Sequence, residues 1–188
     1  MDTFEEATLF ALQAHQGMIR KRAGIPYILH PFEVATIVST MTTDREVLAA
    51  AVLHDVVEDT PVSLEQIEER FGARVAKLVA CESENKHPEM PKDQSWRLRK
   101  EESLADLAAG GRDEHMIWLG DKFSNMRSFY QMLREEGNGF WQHFNQRDSA
   151  QQAWYYDTVA QMTSDLSEEL AWQEYRRLVD VVFEEELS

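Results

Sequence analysis

Ala49-Ala50-Ala51-Val52-Leu53-His54-Asp55-Val56-Val57-Glu58-Asp59-Thr60 is an apolar run ending in four side chains that can bind a metal or carry a proton. It reads as the end of a helix that starts at Thr43 or Asp44 and finishes around Asp59-Thr60-Pro61. On such a helix His54 and Glu58 lie one turn apart, as do Asp55 and Asp59, so two adjacent ridges carry all four groups along one side. The adjacent His54-Asp55 pair can give an imidazole nitrogen and a carboxylate oxygen to one metal ion. The acids one turn further on would then stand near water on that metal, within reach of its proton. The alternative is a buried histidine capped by neighbouring acids. Acids at a helix C-terminus oppose the macrodipole, so stability alone argues against Glu58 and Asp59 there.

Upstream, Thr3 is placed to cap a first helix with Glu6 completing a capping box, and Phe4, Ala7, Ala11, Leu12, Ala14 and His15 form its apolar side. Gly17 stands near its end. Three cations, Arg20-Lys21-Arg22, then precede the punctuated loop Ala23-Gly24-Ile25-Pro26, a local reversal of charge in an acidic chain. His30-Pro31 reads as a helix entry, followed by a buried stripe of Val34, Ile37, Val38 and Met41. His30 is either a capping or core histidine or a third ligand converging on His54 and Asp55.

Downstream, Ser63-Leu64-Glu65-Gln66 opens a helix with a capping-box pattern, and Phe71-Gly72 separates it from the apolar Val75, Ala76, Leu78 and Val79. Residues 82–95, with Pro88 and Pro91, read as a long connection. A helix starting at Trp96-Arg97-Leu98-Arg99-Lys100 stops at Gly110-Gly111. Its cations reach either a substrate phosphate or the neighbouring Glu101, Glu102 and Asp106. In Met116-Ile117-Trp118-Leu119-Gly120-Asp121-Lys122-Phe123-Ser124-Asn125-Met126-Arg127, Asp121 interrupts an apolar helix and Asn125 follows one turn later. A buried acid needs a partner, here an ion pair with Lys122 or Arg127, or a metal. After the turn Gly137-Asn138-Gly139, the aromatics Phe140, Trp141, Phe144, Trp154, Tyr155 and Tyr156 pack two final helices, 149–163 and 167–186, in an all-α chain.

At 188 residues the chain fits one domain. Its 34 acidic and 19 basic residues give a net charge of −15, which repels polyanions and argues against nucleic-acid or anionic-membrane partners. A phosphate ligand must then be held by a local cluster or a metal. The single cysteine, Cys81, excludes an internal disulfide framework. Without a signal-peptide pattern, or an apolar run near the ~20 residues of a membrane span, the expectation is a soluble cytoplasmic protein. No glycine-rich phosphate loop, CxxC pair or Gly-x-Ser-x-Gly elbow is present.

Taken together, His30-Pro31, His54-Asp55 and Asp121 resemble the H…HD…D signature of HD-superfamily metal-dependent phosphohydrolases. Three longer stretches, Gly24 to Pro31, His54 to Thr60 and Leu119 to Arg127, resemble the hydrolase domain of the RelA/SpoT family, a likeness running from about residue 4 to residue 130. The resemblance implies a single HD-domain helical bundle over residues 1–188, with C-terminal packing helices at 149–186 and no room for synthetase or regulatory domains. It implies a stand-alone small alarmone hydrolase that removes pyrophosphate from the 3′ position of guanosine tetra- and pentaphosphate, a small phosphorylated nucleotide. His30, His54, Asp55 and Asp121 are then the ligands of one metal, usually Mn²⁺ in this family. Two imidazoles and two carboxylates also suit Mn²⁺ by ligand type, with Zn²⁺ or Fe²⁺ as alternatives. Glu58 and Asp59 match the family's catalytic acids: Glu58 positions or deprotonates water and Asp59 assists, or the roles are reversed. Lys21 and Arg22 fall beside the guanine base and phosphates, Asn125 matches a substrate contact, and Arg127 follows in the same motif.

The chain departs from the pattern in three places. Lys21-Arg22 replaces the common Arg-Lys, Leu119-Gly120-Asp121 replaces Leu-Ala-Asp, and Glu82-Ser83-Glu84-Asn85-Lys86 replaces Val-Thr-Glu-Asp-Lys. All the implied ligands are intact, so the changes bear on substrate identity. A phosphatase of another nucleotide such as NADPH, or a metal-containing nucleotide sensor without turnover, are the competing readings.

Overall fold

The computed structural model describes residues 2–20, 24–82, 84, 87 and 89–184. Lys21 and Arg22, and with them Ser83, Asn85, Lys86 and Pro88, lie outside the described residues. The chain forms helices α1 (Thr3–Ala14), α2 (Leu29–Val38), α3 (Arg45–Leu53), α4 (Val56–Asp59), α5 (Leu64–Phe71), α6 (Ala73–Glu82), α7 (Lys92–Ala109), α8 (Arg112–Glu136), α9 (Ser149–Met162) and α10 (Leu170–Glu184). Short 3₁₀ turns occupy Gly137–His143 and Ser164–Leu166. Among the described residues there is no strand, only an isolated antiparallel bridge between Ile19 and Pro26. The all-α expectation holds. No helix is long and apolar enough to cross a membrane among the described residues.

Local chemistry sets the helix ends, not always at the predicted residue. Ser63 and Gln66 form the expected capping box of α5. α1 is capped by Asp2 instead of Thr3, because the Asp2 carboxylate accepts from the Glu5 N–H while Glu5 accepts from the Asp2 N–H. α7 starts at Lys92, earlier than Trp96, since the Pro91 carbonyl already accepts the Ser95 N–H at 2.9 Å. The predicted central helix divides at His54-Asp55 into α3 and α4. There the His54 ring takes the Ala51 carbonyl at 2.8 Å, an acceptor that a continuing helix would give to the Asp55 N–H.

Every residue of α3 from Val47 to Leu53 is buried, as expected of a helix that is apolar all round. It lies against α1, α2, α6 and α8. α8, which is 25 residues long, packs along α2 and α10 and also touches α3. The approach of α2 to α8 is close at Gly120: a Cβ there would lie 2.8 Å from Val38 Cγ2 and 3.2 Å from Val34 Cγ1. The far end of α8 is tied to the C-terminal helices by aromatic packing. The Phe129 ring lies 5.4 Å from both Trp141 and Tyr156, and Trp141 stacks on Phe183 of α10 at 5.5 Å.

Candidate active site

His30 enters the interior from the first turn of α2, His54 and Asp55 from the break after α3, and Asp121 from the middle of α8. Each histidine has one nitrogen engaged. His54 Nδ1 donates to the Ala51 carbonyl, so Nε2 is the nitrogen left to face a ligand. His30 Nδ1 donates to Ser124 Oγ at 2.8 Å, and Ser124 in turn donates to Glu33 Oε2 at 2.6 Å. This hydroxyl relay leaves His30 Nε2 facing the same point. Such partners behind a histidine fix its tautomer and ring orientation.

Around the two Nε2 atoms the carboxylates converge. Asp121 Oδ1 lies 3.0 Å from His30 Nε2 and 3.8 Å from His54 Nε2. Asp55 Oδ2 lies 3.1 Å from His54 Nε2 and 3.5 Å from His30 Nε2. Ligand atoms of His30, His54 and Asp121 all fall within 4.8 Å of one another. Close as they are, His54 Nε2 is buried without a hydrogen-bond partner among the described residues. An imidazole Nε2 facing two carboxylates suits a cation with mixed nitrogen and oxygen ligands, so the residues present fit a divalent metal. Without a cation the same acids draw a proton to the ring: burial lowers the His54 pKa, but the charges of Asp55, Asp121 and Glu82 outweigh it and push it up to about 10, so a metal ion takes the place of that proton. For Asp55 and Asp121 burial acts upward, yet the positive neighbours hold both below the usual carboxylate range: His54 for Asp55, and Lys122 with His30 for Asp121.

The four expected ligands are therefore brought together. Glu58, from α4, lines the same cavity of about 300 Å³ as His30, Asp55 and Asp121. Asp59 is exposed and is not part of that lining; it faces the Tyr27 hydroxyl instead. Asn125 lines the cavity, donating to Asp121 Oδ1 at 2.8 Å and accepting from Arg20 at 2.9 Å. Arg127 is exposed, pairs with Glu33 at 2.9 Å and lines a wider groove of about 1040 Å³ that adjoins His30, Arg20 and Asn125. Lys21 and Arg22, assigned to substrate by sequence, lie outside the described residues.

Several residues of the site escape a reading by motif. Tyr27 donates to Asp55 Oδ2 at 2.6 Å. Ser124 and Glu33 form the relay behind His30, and Glu33 is the one charged residue of α2, which is the signal that could have exposed it. Arg99 and Lys100, two of the cations on α7, pair with Glu84 and line the cavity. Glu82 and Lys122 meet behind Asp121, where burial lifts the Glu82 pKa to about 7 against the opposing pull of Lys122.

Residues 7–150 match the family model described as HD domain. A guanosine-3′,5′-bis(diphosphate) 3′-pyrophosphohydrolase of Haemophilus influenzae is 38% identical over 126 residues, which are 64% of this chain and 18% of that protein. The first curated relatives are thus much longer, and the chain spans less than a fifth of their length. The human guanosine-3′,5′-bis(diphosphate) 3′-pyrophosphohydrolase MESH1 is of similar size: 35% identity extends over 86% of this chain and 83% of the human protein. A solved structure described as a metazoan ortholog of SpoT that hydrolyzes ppGpp superimposes with a TM-score of 0.74 at 27% identity, over 99% of this chain and 96% of its own. The helical architecture, the histidine and aspartate cluster and these matches lead to one conclusion: the chain belongs to the HD-domain family.

Proposed function

We propose that the protein is a hydrolase of guanosine 3′,5′-bis(diphosphate) and its pentaphosphate homologue, releasing pyrophosphate and GDP or GTP, and that His30, His54, Asp55 and Asp121 hold a Mn²⁺ ion. The observation that carries this reading is the convergence of two imidazole Nε2 atoms and two carboxylates on one buried point, with His54 Nε2 left without a hydrogen-bond partner among the described residues. The likeness to MESH1 over most of both chains supports the substrate. When bound, the cation supplies polarisation of a phosphoryl oxygen and a lowered pKa for water. Glu58, in the cavity wall, accepts the proton of the attacking water. The water oxygen bonds to phosphorus as the bond to the ribose 3′ oxygen breaks, and the proton returns from Glu58 to that oxygen. Asp59 acts through Tyr27, steadying the hydroxyl that fixes Asp55. Arg20, Asn125, Lys21 and Arg22 bind the nucleotide, with Arg127 at the outer edge of the groove. The whole chain forms one HD domain.

The test is product analysis of metal-stripped protein with ppGpp, pppGpp, NADPH and ordinary nucleotides, with and without Mn²⁺. Expected are Mn²⁺-dependent pyrophosphate with GDP or GTP, and loss of both in Glu58→Gln and Asp55→Ala, only the latter losing metal. Inorganic phosphate from NADPH alone would replace the substrate while keeping the site. Tight nucleotide binding with no turnover under any divalent cation would make the protein a sensor.

A further inference from the structure

Behind Asp121 lies a charge pair that the ligand set does not require. The buried Lys122 ammonium bonds Asp121 Oδ2, sits 4.5 Å from the Trp118 ring centroid and lies 3.4 Å from Glu82 Oε2. Glu82 closes α6 with its side chain only 4% exposed, and its Oε1 is buried without a hydrogen-bond partner among the described residues. It lines the same cavity as His30, Asp55, Glu58 and Asp121. Lys122 is already paired by Asp121, so a second acid, half satisfied and desolvated, is costly for stability alone. The charge balance gives it a use. With a cation bound and both imidazoles therefore neutral, Asp55, Asp121 and Glu82 against Lys122 leave two net negative charges, the complement of a divalent cation. Without Glu82, the lysine cancels half of the attraction that the ligand carboxylates provide.

We propose that Glu82 is a positioning residue of the metal centre. It holds Lys122 on Asp121 Oδ2, leaving Oδ1 for the cation, and it cancels the ammonium charge that would otherwise repel that cation. The proposal rests on the ligand assignment made above. Glu82 is one of the positions at which this sequence departs from the pattern that it resembles.

The experiment is calorimetric titration of Mn²⁺ into metal-stripped protein at pH 8, for the wild type, Glu82→Gln, Lys122→Met and the double variant, with the melting temperature of each. Glu82→Gln is expected to weaken Mn²⁺ binding by roughly tenfold or more, the range for partners behind a ligand. Lys122→Met, which changes charge in the opposite sense, binds Mn²⁺ more tightly, and the double variant returns to within roughly threefold of the wild type. A purely structural pair would weaken binding in both single variants in step with their melting temperatures, and that result overturns the proposal. So does an unchanged affinity in Glu82→Gln. Because Mn²⁺ binding is read without substrate, a wild type that binds Mn²⁺ but does not cleave ppGpp defeats the substrate reading and leaves this one standing.

Discussion

Replacing Ser124 with alanine interrupts the relay behind His30. The residue has no exposed surface; its Oγ accepts from His30 Nδ1 at 2.8 Å and donates to Glu33 Oε2 at 2.6 Å. Alanine keeps the Cβ, so packing loses one oxygen and little else. What remains is a buried imidazole N–H without an acceptor, worth about 1–3 kcal/mol. His30 can escape that penalty by moving its proton to Nε2, the nitrogen a cation needs. The cost is then transferred from the fold to the metal centre. Mn²⁺ affinity should fall by about 10–100-fold, equivalent to about 1.4–2.7 kcal/mol. Urea unfolding of the metal-free variant should show a loss of no more than about 1 kcal/mol, the net worth of a typical hydrogen bond. Calorimetric Mn²⁺ titration and urea denaturation of the same preparation measure both. An unchanged Mn²⁺ affinity with a metal-free stability loss of about 2 kcal/mol or more would mark Ser124 as a buried structural residue and refute the relay.

Tyr27→Phe keeps the ring and deletes the 2.6 Å bond to Asp55 Oδ2, so Mn²⁺ affinity should fall by about 10–100-fold, read by calorimetric titration. Phe129→Ala opens a hole among Trp141, Phe144 and Tyr156 and should cost about 3–5 kcal/mol in urea unfolding without changing the metal to protein ratio by elemental analysis. Asp44 has its carboxyl held below the usual range by its hydrogen bond to Arg74. A depressed acid stabilises the fold above its unfolded pKa and ceases to as pH falls through its folded one. Asp44→Asn should therefore be less stable than the wild type at pH 7, by no more than about 1 kcal/mol for so exposed a pair, with the gap closing in acid melts.

The candidate site is legible in the sequence because polar groups inside apolar runs are costly: His54-Asp55 after Ala49 to Leu53, and Asp121 within Met116 to Met126. The capping box at Ser63 and the glycine stops are legible for a related reason, since they are satisfied locally. What stays hidden depends on contacts across the chain. Ser124 and Glu33 mean nothing until α2 lies against α8, and Glu82 shows only as an acid in place of a valine until Lys122 is beside it. The division at His54-Asp55 is hidden because periodicity does not reveal that a side chain will occupy a helical carbonyl. Glu58 and Asp59 are consecutive on α4 and so about 100° apart round the helix, which lets Glu58 line the cavity while Asp59 does not.

His30, the His54-Asp55 pair and Asp121 are contributed by three separate segments of the chain. A cation gripped by all of them closes two long loops at a single node, in a sequence whose one cysteine leaves no intrachain disulfide to do so. Because the ligand geometry exists only when the helices are packed, binding adds to folding stability by mass action, by about 2.7 kcal/mol at a hundred times the dissociation constant. On the proposed function, turnover and resistance to unfolding would then depend on the same supply. When divalent metal is scarce the protein would lose turnover and become a better substrate for proteases, so that its half-life as well as its activity would follow the metal available.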